Sequence, residues 1–200
     1  MKKYLLTIFL LQAIISCGTY PWEYDYWKLN DDEVLFYLAD VSGHGVTSSL
    51  LTSWMAAFHG RSKTPSQLIQ KLNAMLVQEN IEKHITMVAG ILNLATHEVC
   101  WSSAGHYPPP IIFEPNQPPQ ILTTSSFPLG LTEELEVEEH CCTLSRNARF
   151  ILCSDGALEP FDGGLNDQFN QLVEHLQHDA FKAPDHVADD IAILSICRMN

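Results

Sequence analysis

Basic residues are scarce in this chain. Eleven Lys and Arg face twenty-four Asp and Glu in 200 residues, giving a net charge of −13 and a pI of about 4.9. Nucleic-acid binding rests on clustered Lys and Arg that neutralise phosphates, so that balance argues against a nucleic-acid partner. The six cysteines show no C-x-x-C spacing and include an adjacent pair, Cys141 and Cys142, which points to neither a zinc site nor a disulfide framework. Reduced, mostly buried thiols are the expectation. The nine histidines form no H-x-x-x-H pair. The glycines at 43 and 45 are not followed by Lys and Ser or Thr, which excludes a P-loop, and no G-x-S-x-G elbow marks a serine hydrolase. No internal repeat or long linker divides the chain. With 46% hydrophobic and 18% charged residues it is long enough for one domain with a sizeable core.

What the chain does have is a set of carboxylates at the ends of apolar runs. Val34-Leu35-Phe36-Tyr37-Leu38 is apolar at both parities, the pattern of a strand buried on two faces, and it leads into Asp40-Val41-Ser42-Gly43-His44-Gly45. A carboxylate at the end of a buried strand is costly unless a cation meets it, and no Lys or Arg lies near Asp40 in sequence. Arg149 to Ser154 is a second strand-like run, ending in Asp155-Gly156. Asp189-Asp190 opens a third, Ile191 to Ile196. In an antiparallel sheet the end of one strand lies beside the start of its neighbour, which brings these carboxylates to one edge. Taken singly, each Asp also reads as a turn or cap residue. Taken jointly, oxygen ligands of this kind suit a hard cation, Mg²⁺ or Mn²⁺, rather than Zn²⁺.

Five motifs carry a resemblance. Asp-Val-Ser-Gly-His-Gly (40–45), Ser103-Ala104-Gly105-His106 with Pro108-Pro109-Pro110, Phe127-Pro128-Leu129-Gly130-Leu131, Ser154-Asp155-Gly156 and Asp189-Asp190-Ile191 occur in that order. Over roughly residues 24–200 the chain resembles the bacterial, SpoIIE- and RsbU-like branch of the PPM-type (type 2C) metal-dependent Ser/Thr protein phosphatases. The resemblance implies an α+β fold, two stacked antiparallel β-sheets flanked by helices, with metals at one edge. It also implies hydrolysis of phosphoserine or phosphothreonine on a protein partner, such as an anti-sigma-factor antagonist, by a water activated between two Mn²⁺ or Mg²⁺ ions. Carried over by motif, Asp40 bridges both metals, the Val41 carbonyl faces the second, and Asp155 and Asp189 hold the first. Asp190 is not expected to ligate. His44, in its Gly-His-Gly turn, is a candidate general acid. His106 is expected to be structural.

The chain also departs from the family pattern. Members carry Gly-Gly-Asp before an aromatic-Tyr-Asp, that Asp ligating the second metal. In register with Tyr24-Asp25-Tyr26-Trp27, this chain has Trp22 in that place. Adjacent Glu23 points to the opposite face of a strand unless a bulge re-aims it. The family's preceding strands and regulatory helix find no counterpart in the sequence, so the fold is expected to be incomplete at the N-terminus. One good metal site with weak or no turnover is therefore an expectation, and a degenerate, non-catalytic domain that binds a protein partner is the alternative.

Residues 1–19 stand apart from the domain expected over 20–200. Met1-Lys2-Lys3 followed by the apolar stretch Tyr4 to Ile15 has the form of an export signal, and Ile14-Ile15-Ser16-Cys17 resembles a lipobox. Two readings stand side by side: an exported lipoprotein anchored to a membrane through Cys17, and a displaced start on a cytoplasmic domain, which the family resemblance implies. Downstream, Thr64-Pro65-Ser66-Gln67 supplies an N-cap, a first-turn proline and a capping-box Gln for a helix with the apolar stripe Leu68, Ile69, Leu72, Met75 and Leu76. Residues 85–94 and 98–102 read as a hairpin, 114–126 as a loop, 168–177 as a helix and the acidic run 133–139 as a solvated strand edge.

Overall fold

The computed structural model describes residues 9–16, 23–41, 53–55, 57–58, 61–79, 83–178, 181–182 and 191–198. Among the described residues ten strands form two five-stranded antiparallel sheets. The first sheet has the order β2-β3-β4-β5-β8, built from β2 (Glu23–Lys28), β3 (Glu33–Val41), β4 (Ile85–Asn93), β5 (Glu98–Ala104) and β8 (His140–Thr143). The second has the order β1-β10-β9-β6-β7, from β1 (Phe9–Ser16), β6 (Ile111–Phe113), β7 (Gln120–Ile121), β9 (Arg149–Cys153) and β10 (Ile191–Arg198). Helix α1 (Pro65–Gln78) covers the outer face of the first sheet and α2 (Leu165–Gln177) that of the second. The α+β sandwich expected from sequence is the fold observed.

Strand parity explains the layers. Along β3, Leu35, Tyr37, Ala39 and Val41 join the core shared with Leu68, Ile69, Leu72 and Leu76 of α1. The alternate residues Phe36 and Leu38 face the second sheet, where they meet Phe150 and Leu152 of β9 and Leu194 and Ile196 of β10. Because both faces are covered, the run is apolar throughout. Phe150 is fully buried at this centre, its ring 5.8 Å from Phe36 and 5.4 Å from Trp101.

Helix α1 starts as its sequence dictates. Thr64 Oγ1 accepts from the Gln67 backbone N–H at 3.3 Å and Pro65 opens the helix. The Gln67 side chain reaches back to the Lys63 N–H at 3.2 Å, one residue beyond the usual capping-box partner. Buried Asn73 is satisfied from both sides: its Nδ2 donates to the carbonyls of Thr132 (3.0 Å) and Glu133 (3.3 Å), and its Oδ1 accepts from the Gly130 N–H (2.8 Å). One side chain thereby pins the 130–133 segment to the helix.

Three local expectations need correction. Cys100 and Cys141, opposite one another on β5 and β8, form a disulfide with Cα atoms 4.1 Å apart, whereas free thiols were expected throughout. The run Glu133–Glu139 is not a strand edge: Leu135 is buried against α1, and backbone carbonyls in the run accept from Asn73 and Gln70 instead of from a neighbouring strand. The 114–126 loop contains the short strand β7. Phe9–Ser16, inside the export-signal-like stretch, pair with β10 as an edge strand, and Cys17 lies outside the described residues.

Candidate functional site

The inter-sheet face changes character at one end of the sandwich, and it does so on four strands together. On β3 the inward series Phe36, Leu38 is followed by Asp40. On β4 the series Leu92, Val88 arrives at Thr86, which sits opposite Asp40 in the ladder. On β5 Val99 and Trp101 give way to Ser103, and on β9 Phe150 and Leu152 give way to Ser154. Ser103 and Ser154 are buried, while Asp40 and Thr86 are half-buried. An apolar slab thus ends in a rim of side-chain oxygens contributed by both sheets.

The two sheets are tied together at this end. Gly105, at φ +62°, turns the chain out of β5, and a Cβ there would lie 2.5 Å from the Pro128 ring. The turn delivers His106, whose Nε2 lies 3.0 Å from the carbonyl oxygen of Cys153, the last residue of β9. A carbonyl only accepts, so Nε2 carries the proton and Nδ1 is bare; Nδ1 is buried with no partner. Burial pushes the His106 pKa down to about 4, which leaves the ring neutral near pH 7, and the bond to Cys153 offsets this only in part. His106 is structural, as expected from sequence, and its structural task is to clamp the end of β5 to the end of β9.

Asp155 follows that clamped end directly. Ser154 donates its N–H to the Ala192 carbonyl and accepts the Ala192 N–H on Oγ, both at 2.8 Å, locking the end of β9 beside the start of β10. Asp155 then opens a single 3₁₀ turn, exposed, its Oδ1 accepting from the Gly156 N–H at 2.9 Å. Asp40 and Asp155 therefore stand at the same end of the sandwich on facing sheets. His44, Asp189 and Asp190 lie outside the described residues, as does Trp22; β10 begins two residues after Asp189. Among the described residues no group of three or more His, Cys, Asp and Glu is close enough to hold a metal. The ladder from Glu23↔Ala39 to Lys28↔Val34 runs without a bulge, so Glu23 takes the register position opposite Ala39, one off that opposite Asp40.

The donors present at this rim fit a hard dication. They are carboxylate and hydroxyl oxygens, and the softer groups nearby are turned away. The Cys153 thiol packs into the α2 side of the second sheet, where burial pushes its pKa up to about 12, and His106 engages the Cys153 carbonyl through Nε2 while its Nδ1 is buried. Thr86, Ser103 and His106 were visible in the sequence only as strand or motif letters. Thr86 and Ser103 each occupy the next inward position after an apolar series, a parity that the fold reveals and that strands apolar on both faces do not mark in sequence.

Comparison with known proteins places this arrangement. The chain is 23% identical over 195 aligned residues to the phosphoserine phosphatase RsbP of Bacillus subtilis (strain 168), covering 84% of this chain and 46% of that protein. It is 25% identical over 143 residues to RsbU of the same organism, covering 68% of this chain and 42% of that one. The chain thus spans less than half the length of these curated relatives. Among solved structures, the RsbU and RsbW domains of a Mycobacterium tuberculosis protein match with a TM-score of 0.74 at 19% identity, over 96% of this chain and 61% of that one. The type 2C phosphatase domain of SpoIIE from Bacillus subtilis, solved with a fragment of its regulatory domain, matches at 0.69 and 16% identity over 94% and 62%. The structural likenesses show the fold. Residues 30–198 match the family described as Stage II sporulation protein E (SpoIIE), which covers every strand from β3 to β10, and the chain belongs to that family.

Proposed function

We propose that this chain hydrolyses phosphoserine or phosphothreonine on a regulatory protein partner, an anti-sigma-factor antagonist being the partner type the family resemblance implies. The observation that carries the reading is the oxygen rim across both sheets, with Asp40 and Asp155 at the same end. In this reading Asp40 and Asp155, with Asp189, would hold Mn²⁺ or Mg²⁺, and Val41 would add its carbonyl. When bound, such cations supply water activation and charge neutralisation for in-line phosphoryl transfer. The apolar slab behind Asp40, Phe36 and Leu38 with Leu152, keeps water from the inner side of the rim and strengthens every electrostatic interaction at its mouth. Neutral His106 holds the Asp155 turn against the first sheet without adding a positive charge that would compete for the carboxylates. His44 is the group assigned to protonate the leaving Ser or Thr oxygen.

The test is hydrolysis of p-nitrophenyl phosphate with Mn²⁺, with EDTA, and by Asp40→Asn, alongside Mn²⁺ titration calorimetry. Activity that needs the metal and is lost in Asp40→Asn supports the reading; activity that survives EDTA refutes it. Trp22 in place of an Asp, and the unbroken β2–β3 register at Glu23, favour a second reading: a degenerate domain that binds its partner without turnover. One Mn²⁺ site or none, no turnover, and partner capture that survives Asp155→Ala would establish it. Two tight, equivalent Mn²⁺ sites would exclude it.

A further inference from the structure

Beside the oxygen rim lies a second feature, the segment Phe127 to Glu136. Where β5 leaves the ladder at Gly105, Leu129 takes over its place: it exchanges both backbone hydrogen bonds with Ile85 (3.1 and 2.9 Å), and Ile85 pairs with Val41 on its other flank. This segment is therefore built onto the same edge as the candidate site. It is also held rigidly. Gly130 adopts φ +87°, a Cβ there would lie 2.5 Å from the Lys83 carbonyl oxygen, and its N–H is held by Asn73. From that anchored backbone Leu129 and Leu135 point into the core, while Phe127 and Leu131 stand 65% and 55% exposed. Among the described residues the other large apolar side chains about as open are Tyr26 and Leu165, each remote in sequence from this segment.

Phe127 lines a groove of about 400 Å³ together with Ser126, Thr132, Glu134 and Glu136. No ion pair engages Glu134 or Glu136 among the described residues. An exposed aromatic ring presented on pinned backbone, next to two carboxylates that no cation among the described residues neutralises, offers a partner both an apolar contact and a charge. We propose that this groove seats the polypeptide flanking the phosphorylated residue of the substrate, and that it selects segments carrying an aliphatic residue with adjacent Lys or Arg. The apolar residue covers Phe127 and the cation meets Glu134 and Glu136, while continuity with the Val41–Ile85–Leu129 ladder presents the neighbouring phosphoryl group to the rim. The proposal rests on the phosphatase reading for the identity of the occupant.

Fluorescence anisotropy tests the groove without any turnover. The probes are synthetic peptides carrying Ser between Leu and Lys residues, and the same peptides with Glu for Lys. The Lys peptide should bind roughly tenfold tighter than the Glu peptide at low salt, and the gap should narrow as salt rises. Glu134→Lys with Glu136→Lys should reverse the preference, and Phe127→Ser should weaken both peptides by roughly tenfold. These side chains are exposed, and unchanged thermal melting of the variants confirms folding. Equal affinities, no binding of either peptide, or a preference that survives the double Glu→Lys change would overturn the proposal. Turnover of the phosphorylated Lys peptide is read separately: none, with the binding preference intact, sinks the phosphatase reading and leaves the groove standing.

Discussion

At the end of the sandwich where β3 begins, the chain closes on itself through its backbone. Leu94 N–H donates to Asp32, Leu144 N–H to His97, Asn147 N–H to Arg198, and the Arg198 guanidinium reaches the Leu144 carbonyl at 2.6 Å. At the end where β3 finishes, the same strands present Asp40, Thr86, Ser103 and Ser154 toward the gap between sheets, and His106 ties the two layers with one side-chain bond. One end holds its strands through backbone bonds; the other gathers side-chain oxygens between the sheets, Asp40 and Thr86 half-buried and Ser103 and Ser154 buried. A single apolar core, fixed between these ends, lets one fold serve both.

Substitutions at the two ends should therefore separate function from stability. The largest effect is expected along β3 itself. Asp40→Asn should lower Mn²⁺-dependent hydrolysis of p-nitrophenyl phosphate by at least about a hundredfold, with a matching loss of Mn²⁺ affinity in calorimetry. Glu33→Gln, at the other end of the same strand, should change neither.

The next effect is a pH dependence peculiar to the site end. In the folded protein the His106 pKa falls to about 4 from 6.5. The unfolded chain therefore binds the extra proton between those values, and stability present above about pH 6.5 is lost as pH falls toward 4. The loss approaches about 3 kcal/mol for this one group. Thermal melts across that window should show the fall in the wild type and a flatter profile in His106→Gln, whose amide keeps a donor but does not titrate. His106→Ala should weaken Mn²⁺ binding, with partial recovery in His106→Gln.

Arg198→Met, at the closed end, should cost about 1–2 kcal/mol in chemical denaturation by leaving the Leu144 carbonyl short of a donor, with Mn²⁺ affinity untouched. The smallest effect is expected away from both ends: Thr64→Ala should cost about 1 kcal/mol through the lost cap of α1, again with no change in Mn²⁺ affinity.

The strand ends carrying Asp40 and Asp155 were legible because an apolar run that stops at a carboxylate is a local pattern. The α1 cap was legible for the same reason. The oxygen rim was not. When both faces of a strand are buried every position is apolar, so the sequence does not mark which parity faces the other sheet, and Thr86 and Ser103 cannot be sorted from their neighbours. The disulfide needed register: of the adjacent pair Cys141 and Cys142, only the one opposite Cys100 can reach it, across a separation of 41 residues. The acidic run misled because Leu135 and Val137 alternate with glutamates at strand period while the backbone bonds to side chains of α1 instead. The apolar stretch near the start has two meanings at the level of sequence, an export signal or a strand, and Phe9–Ser16 take up the second in this fold.

The ladder position of Leu129 works as a ruler. Two strand spacings separate it from Val41 across Ile85, about 10 Å, the reach of roughly three residues of extended polypeptide. Phe127 stands two residues further along that segment, so a bound chain would place its phosphorylated residue and the residue covering Phe127 about three to four positions apart, and peptides with other intervals would have to forfeit one contact to make the other.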